Sequence, residues 1–373
     1  MEPTASAAAE VATLCSELIR FDTSNFGPEG AAGEREATEY VAAKLDEVRI
    51  GCRLFESEPR RTSLVAEWAP EGCDRSLQPL LIHGHTDVVP AVAADWQVDP
   101  FAGEIVDGYV WGRGAVDMKD FDAIVLAVVR QRQREGRAPR RPIRLVFTAD
   151  EEAGGRKGSG WLAEHHPELI ADCTEAIGEV GGFSLTVNDQ RLYLIQTAEK
   201  GLAWLDLIAS GTAGHGSMRN DDNAITELAA AVSRIGTYEW PARIRPAQRQ
   251  FLDAVEDVLG VEVNTDDAEI TLARLGSIAR MVGATMANTA NPTMLSGGYK
   301  VNVIPGQARA GIDGRFIPGH EQEFYDTISE LIGDKVRYEV VVGDVAVETS
   351  FDGALVDAMR ASLHAADPGA LAV

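Results

Sequence analysis

The segment LLIHGHTDVVP, residues 80–90, decides how this chain folds. Leu80, Leu81 and Ile82 form a short continuous apolar run, the pattern of a strand buried on both faces. Polar residues follow at once: Gly84 allows a turn, and His85 and Asp87 stand two positions apart. In an open α/β sheet, ligands gather beyond the carboxyl ends of the strands. Three more segments repeat the arrangement: WGRGAVDMKD at 111–120, TADEEAGG at 148–155 and GEVGG at 178–182. Asp117 comes from the loop before a helix starting near Phe121. Glu151 and Glu152 follow a strand ending at Thr148, and Glu179 ends its own strand.

One imidazole and several carboxylates at one sheet edge repel and raise one another's pKa. A divalent cation offsets that cost, and ligands from separate segments suit two adjacent cations. Imidazole with carboxylates and no thiolate fits zinc, cobalt or manganese better than copper(I) or an iron–sulfur cluster. Asp87 can accept the second imidazole N–H of His85 and fix its tautomer. His83, ending a buried strand, reads as a packed or hydrogen-bonded histidine. Adjacent Glu151 and Glu152 point different ways, so one can bind metal while the other takes a proton from a metal-bound water.

Outward from this segment, helix and strand alternate. Periodicity predicts helices over 11–21, 33–48 and 121–134, and strands over 63–68, 80–83, 143–148 and 174–179. That order implies an α/β domain with a largely parallel sheet. After about residue 196 the pattern changes to runs. Strands are predicted over 202–209, 269–275, 299–303, 308–316 and 336–342, with helices over 223–235 and 322–332. These form a separate α+β sandwich inserted in the first domain. A helix over 353–364 follows. The arginines between 130 and 144 read as a solvated helix end and loop.

With 373 residues, two domains are the natural division. The formal net charge of −24, from 58 acidic and 34 basic residues, disfavours nucleic acid and anionic membranes as partners. The apolar stretch at 123–129 is too short to span a bilayer. The N-terminal residues read as an amphipathic helix, not a signal peptide. Cys15, Cys52, Cys73 and Cys173 are scattered without a CxxC pair, as reduced thiols of a cytoplasmic protein.

HGHTDVVP, WGRGAVDMKD, TADEEAGG, AGHGS at 213–217 and NVIPG at 302–306 occur in one order. In these the chain resembles the dinuclear-zinc metallopeptidases of the aminoacylase, acetylornithine deacetylase, succinyl-diaminopimelate desuccinylase and glutamate carboxypeptidase group. The resemblance implies a zinc-exopeptidase-like α/β catalytic domain, 1–197 with 347–373, whose central sheet is mostly parallel. It implies an inserted ferredoxin-like α+β lid and dimerisation domain over 198–346. It further implies two zinc ions: His85 and Glu179 on one, Glu152 on the other, Asp117 bridging. Glu151 would be the general base toward a bridging hydroxide, with Asp87 orienting His85. His215 would stabilise the oxyanion, reaching the partner's site in a homodimer. Arg315 and Asn302 would bind the substrate carboxylate, a task that suits the planar guanidinium. A cis peptide is implied after Asp117.

The implied reaction is cleavage of the amide bond in N-acyl amino acids or small peptides with a free carboxylate. A dipeptidase requiring a free substrate amine is the rival enzyme. A non-catalytic binding or dimerisation relative is the rival from another class. Relatives carry a further GGTDA-like turn and then a histidine completing the second metal's shell, neither of which occurs in the sequence. The chain is therefore expected to be a C-terminally truncated form with weak or no activity.

Overall fold

Helix α1 (Ala7–Ile19) begins where the Ser6 hydroxyl accepts the backbone N–H of Ala9 at 3.2 Å, a serine N-cap. The computed structural model describes residues 6–27, 30–260, 262 and 267–373, and these divide into two units, 1–179 and 180–373.

The first unit continues with α2 (Arg35–Asp46), β1 (Cys52–Glu58), β2 (Arg61–Trp68), β3 (Leu80–His85) and the short hairpin β4 (Glu104–Val106) and β5 (Tyr109–Trp111). Next come α3 (Lys119–Arg134), β6 (Ile143–Thr148), α4 (Ser159–His165) and β7 (Glu175–Ile177). The sheet order is β1-β2-β6-β3-β7. The strands β6, β3 and β7 run parallel, with His85 opposite Thr148 and Ile82 opposite Ile177. On the other side β2 and β1 add antiparallel pairs. The α/β class and the parallel centre of the sheet match the expectation.

Period-two alternation explains the burial of both faces. Leu64, Leu145 and Phe147 point into one core with Leu18 and Ile19 of α1, Leu45 of α2 and Leu126 of α3. Val65 and Val146, one position along, enter a second core with Leu162 of α4 and Leu169. The expected solvation of the 130–144 arginines fails at two positions. Arg130 is buried and bonds the carboxylate of Glu47 at 2.7 Å, while Arg144 is buried beside Glu67.

The second unit opens with the hairpin β8 (Gly181–Val187) and β9 (Gln190–Ile195), then β10 (Ala198–Glu199) and β11 (Gly201–Ser210). It continues through β12 (Gly214–His215), α5 (Ala224–Thr237), α6 (Pro246–Leu259), α7 (Ala268–Arg274), α8 (Ala279–Met286) and β13 (Thr289–Gly297). The rest are β14 (Val303–Ile304), β15 (Gln307–Phe316), α9 (Glu321–Ile332), β16 (Val336–Asp344), β17 (Val347–Glu348), α10 (Ala354–Ala366) and β18 (Leu371–Ala372). The main sheet is antiparallel, in the order β13-β15-β11-β16. Leu228 and Ile235 of α5 and Phe324 and Ile328 of α9 pack on its Leu205, Leu207, Ala310 and Ile312. Setting aside α6–α8, the succession is βαββαβ, the ferredoxin-like connectivity.

Two predicted strands are corrected. Residues 269–274 belong to α7, with Leu275 as its C-cap: the Asp267 side chain accepts the N–H of Ile270 at 3.0 Å, and Thr271 and Leu275 are buried at helical spacing. Of 299–303, only Val303 is in a strand, because Gly298 takes φ +73° and the chain turns there.

Candidate metal centre

His85 ends β3 with its ring almost wholly buried, 1% exposed. Its Nδ1 lies 3.0 Å from the backbone oxygen of Asp87, so Nδ1 carries a proton and Nε2 is the nitrogen whose lone pair a cation would take. That Nε2 is buried and has no hydrogen-bond partner. Facing it are Asp117 Oδ1 at 3.2 Å, Glu151 Oε2 at 3.7 Å and Glu179 Oε2 at 3.7 Å. Among the described residues, two groups bring ligand atoms within 4.8 Å of one another: His85, Asp117 and Glu179, and His85, Glu151 and Glu152. A buried imidazole lone pair aimed at three carboxylates fits a divalent cation.

Local structure delivers each group. A Cβ on Gly84 would stand 2.3 Å from Asp122 Oδ1, so only glycine lets β3 lie this close to α3. The Asp117–Met118 peptide is cis, as the resemblance implies. The buried Met118 sulfur lies 3.3 Å from the backbone nitrogen of His85 and accepts its N–H. Asp150 adopts a left-handed conformation, φ 69°, and opens the short 3₁₀ turn that carries Glu151 and Glu152. Glu179 follows β7.

Asp87 is fully buried and does more than the sequence suggested. Its backbone oxygen, not primarily its carboxylate, orients His85; the nearer carboxylate oxygen is 3.5 Å from Nδ1. The carboxylate instead accepts the backbone N–H of Glu151 at 3.0 Å and of Glu152 at 3.1 Å. It also accepts Asn25 Nδ2 at 2.8 Å. The first turn of a helix favours such an acceptor. His83 behaves as a packed histidine: its Nε2 lies 3.1 Å from Thr148 Oγ1, and burial lowers its pKa to about 4.

The electrostatics reflect crowded acids. Burial, and then Asp117, push the Glu152 carboxyl up to about 7. Burial also raises Glu151. His85 holds Asp117 below its usual range. Burial opposes the charged form of His85, but Asp117, Asp87 and Glu179 outweigh it and raise the ring's pKa.

Three expected site residues lie in the second unit. His215 is in β12, paired with Val303, and its Nδ1 accepts the backbone N–H of Ser217 at 3.3 Å, leaving Nε2 as the donor nitrogen. Asn302 sits in the adjacent turn, its backbone oxygen accepting the N–H of Gly216 at 2.9 Å. Arg315 lies in β15 and is held by Asp313, at 2.7 Å to Nε and 3.3 Å to Nη2.

Sequence reasoning missed the layer beneath the site. Arg61, Glu34, Asn25 and Asp150 are all buried, from four separate places in the chain. Only a charged residue opening the buried strand β2 hinted at it.

A family model, Peptidase family M20/M25/M40, matches residues 81–371. The chain is 31% identical over 342 residues to the N-fatty-acyl-amino acid synthase/hydrolase PM20D1 of Xenopus tropicalis, covering 87% of this chain and 65% of that one. It is 28% identical over 337 residues to aminoacylase-1 of Sus scrofa, covering 88% and 72%. This chain thus spans just under two thirds of the length of the first of these relatives. In fold it is similar to the M20 family metallo-carboxypeptidase Sso-CP2 from Sulfolobus solfataricus, with a TM-score of 0.70 at 19% identity, covering 98% of this chain and 85% of that one. No helix among the described residues is long and apolar enough to cross a membrane.

Proposed function

We propose a hydrolytic function for this chain that starts from one fact: it belongs to peptidase family M20/M25/M40. The proposed reaction is cleavage of the amide bond of an N-acyl amino acid or small peptide bearing a free carboxylate. One observation carries the reading: the buried, unpartnered Nε2 of His85 facing Asp117, Glu151 and Glu179. Acyl amino acids come first among substrates because two of the sequence relatives, at 31% and 28% identity, are acyl-amino-acid enzymes by name, while a third at 29% is named a probable carboxypeptidase and keeps peptides in the panel.

His85 and Glu179 would hold one divalent cation, Glu152 the other, and Asp117 both. Zinc fits these donors, as do cobalt and manganese. Bound there, the pair would supply an acidified water and polarise the scissile carbonyl. The protein's own residues do the rest. Val89 donates its backbone N–H to Glu152 Oε1 at 3.1 Å, so one oxygen is fixed and the other is left to ligate. Glu151, held by its backbone on Asp87, takes the water proton and delivers it to the leaving amine; burial raises its pKa, the direction that favours taking up a proton. His215, with Nε2 as donor, is read as the group that stabilises the oxyanion. Arg315 and Asn302 are read as carboxylate binders, with Asp313 keeping the guanidinium in one orientation.

The ferredoxin-like sheet and its two helices fall within 198–346, which supports reading that segment as a lid and homodimerisation domain inserted in a catalytic domain of 1–197 and 347–373. Four free cysteines support a cytoplasmic setting.

The test is hydrolysis of a panel of N-acetyl amino acids, the matching dipeptides and their carboxyl-capped forms, after loading with zinc or cobalt. Turnover of N-acyl amino acids, lost on chelation and on capping, is expected. Turnover of dipeptides alone would make the protein a dipeptidase. Metal binding without turnover of any member would leave a binding protein.

A further inference from the structure

Below the carboxylates of the proposed metal centre runs a buried polar chain that the hydrolytic scheme does not use. Arg61, at the start of β2, is 6% exposed in its side chain. Its Nη1 bonds the buried Glu34 carboxylate, and its Nη2 reaches Asn25 Oδ1 at 2.9 Å and Asp150 Oδ1 at 3.1 Å. Asn25 passes the connection on: its Nδ2 donates to Asp87 Oδ2 at 2.8 Å and lies 3.3 Å from Asp150 Oδ1. Asp87 in turn holds the backbone N–H groups of Glu151 and Glu152. Asp150 precedes them and fixes the far side of the loop, its Oδ2 accepting the N–H of Lys157 at 2.8 Å.

We propose that Arg61 is a positioning residue for the metal centre, acting through Asn25, Asp150 and Asp87 on the turn that carries Glu151 and Glu152. Two arguments carry this. The first is charge. Glu34, Asp87 and Asp150 are three buried carboxylates, and Arg61 is the cation placed between two of them. A buried carboxylate without such a partner is costly. The second is shape. One guanidinium reaches Glu34 through Nη1 and Asn25 and Asp150 through Nη2, a spread over two nitrogens of a planar fork that the single nitrogen of an ammonium does not reproduce. Asn25 is also chosen by chemistry: it must accept from Arg61 and donate to Asp87, and an amide does both where a carboxylate does only one. Groups behind a metal's direct ligands alter affinity about 10- to 100-fold when changed.

The inference rests on the proposed metal centre, and the test separates the two. Cobalt(II) is titrated into wild type, Arg61→Lys and Asn25→Ser, following the visible cobalt bands and the metal-free Tm of each. The expected result is tight binding by wild type, with affinity about 10- to 100-fold weaker and shifted bands in both folded variants. Asn25→Ser leaves the buried charges in place, so it carries the test if Arg61→Lys does not fold. Variants with lowered metal-free Tm but unchanged cobalt affinity and bands would reduce Arg61 to a structural role and overturn the inference alone. Failure of wild type to bind cobalt would overturn the metal centre and the inference with it.

Discussion

Asp87 accepts the backbone N–H of Glu151 at 3.0 Å. The aspartate two residues after the histidine thus grips the opposite wall of the site. Its carboxylate serves three donors, so Asp87→Ala leaves the Glu151 and Glu152 amides and the Asn25 amide short of a buried acceptor. The loss should reach at least about 2 kcal/mol of unfolding free energy. Urea denaturation of the metal-free protein measures it; an unchanged midpoint would mean water replaces the carboxylate without cost.

Glu151→Gln keeps a polar side chain of the same size on the same turn but cannot accept the proton. Bound metal should be retained, KM should change little, and kcat should fall by about 10²- to 10⁴-fold. Metal analysis beside steady-state kinetics reads both. Retained turnover would take the base role away from Glu151.

The Glu152 carboxyl stands at about 7 without metal, raised by burial and then by Asp117. A cation binds the deprotonated form, so affinity should fall as pH drops below about 7 and binding should release protons. Calorimetric titration in buffers of different ionisation heat tests this; binding independent of pH would exclude Glu152 as a ligand. Stability of the metal-free protein has its own sign. A carboxyl raised on folding stabilises the fold below its unfolded value near 4.5, and that contribution is lost as pH climbs through 7. This carboxyl should therefore lower the metal-free Tm between those limits, a slope that Glu152→Gln should flatten.

Arg315→Met removes a guanidinium read here as a carboxylate binder. KM for free acids should rise about 10- to 100-fold, the worth of one charged hydrogen-bond pair, with kcat little affected. The same substitution should leave carboxyl-capped substrates unchanged. An equal effect on both would mean that Arg315 serves only its pair with Asp313.

Gly84→Ala drives a methyl to 2.3 Å from Asp122 Oδ1, with β3 on one side and α3 on the other. Overpacking of this kind costs about 1–3 kcal/mol. Denaturant titration measures it. A neutral result would show that α3 yields there.

How much of this was legible in advance varies with the kind of signal. The strand was read over 80–83 because the apolar run ends abruptly after Ile82, and the structure extends it to His85; similar punctuation marked Thr148 and Glu179. Residues 269–275 misled because Ile270, Leu272 and Arg274 alternate with smaller residues as in a strand, whereas the Asp267 cap and the burial of Thr271 and Leu275 select a helix. β1 and β13 went unseen. Arg53 and Glu56 interrupt the first, and Pro292 sits at a register shift in the second, whose residues are mostly exposed. Of the chain from Arg61 through Asn25 to Asp87, the sequence marked only Asp87, by its spacing from His85, and faintly the charge opening β2. The rest looks ordinary until folding brings distant positions together.

Glu151 and Glu152 ride on one three-residue turn. On the proposed roles, proton carrier and cation holder share a single mechanical mount. A drift that retuned the preferred metal by shifting one would displace the other as well. Any lineage that changed its metal at this turn would have to rebuild its proton chemistry in the same step.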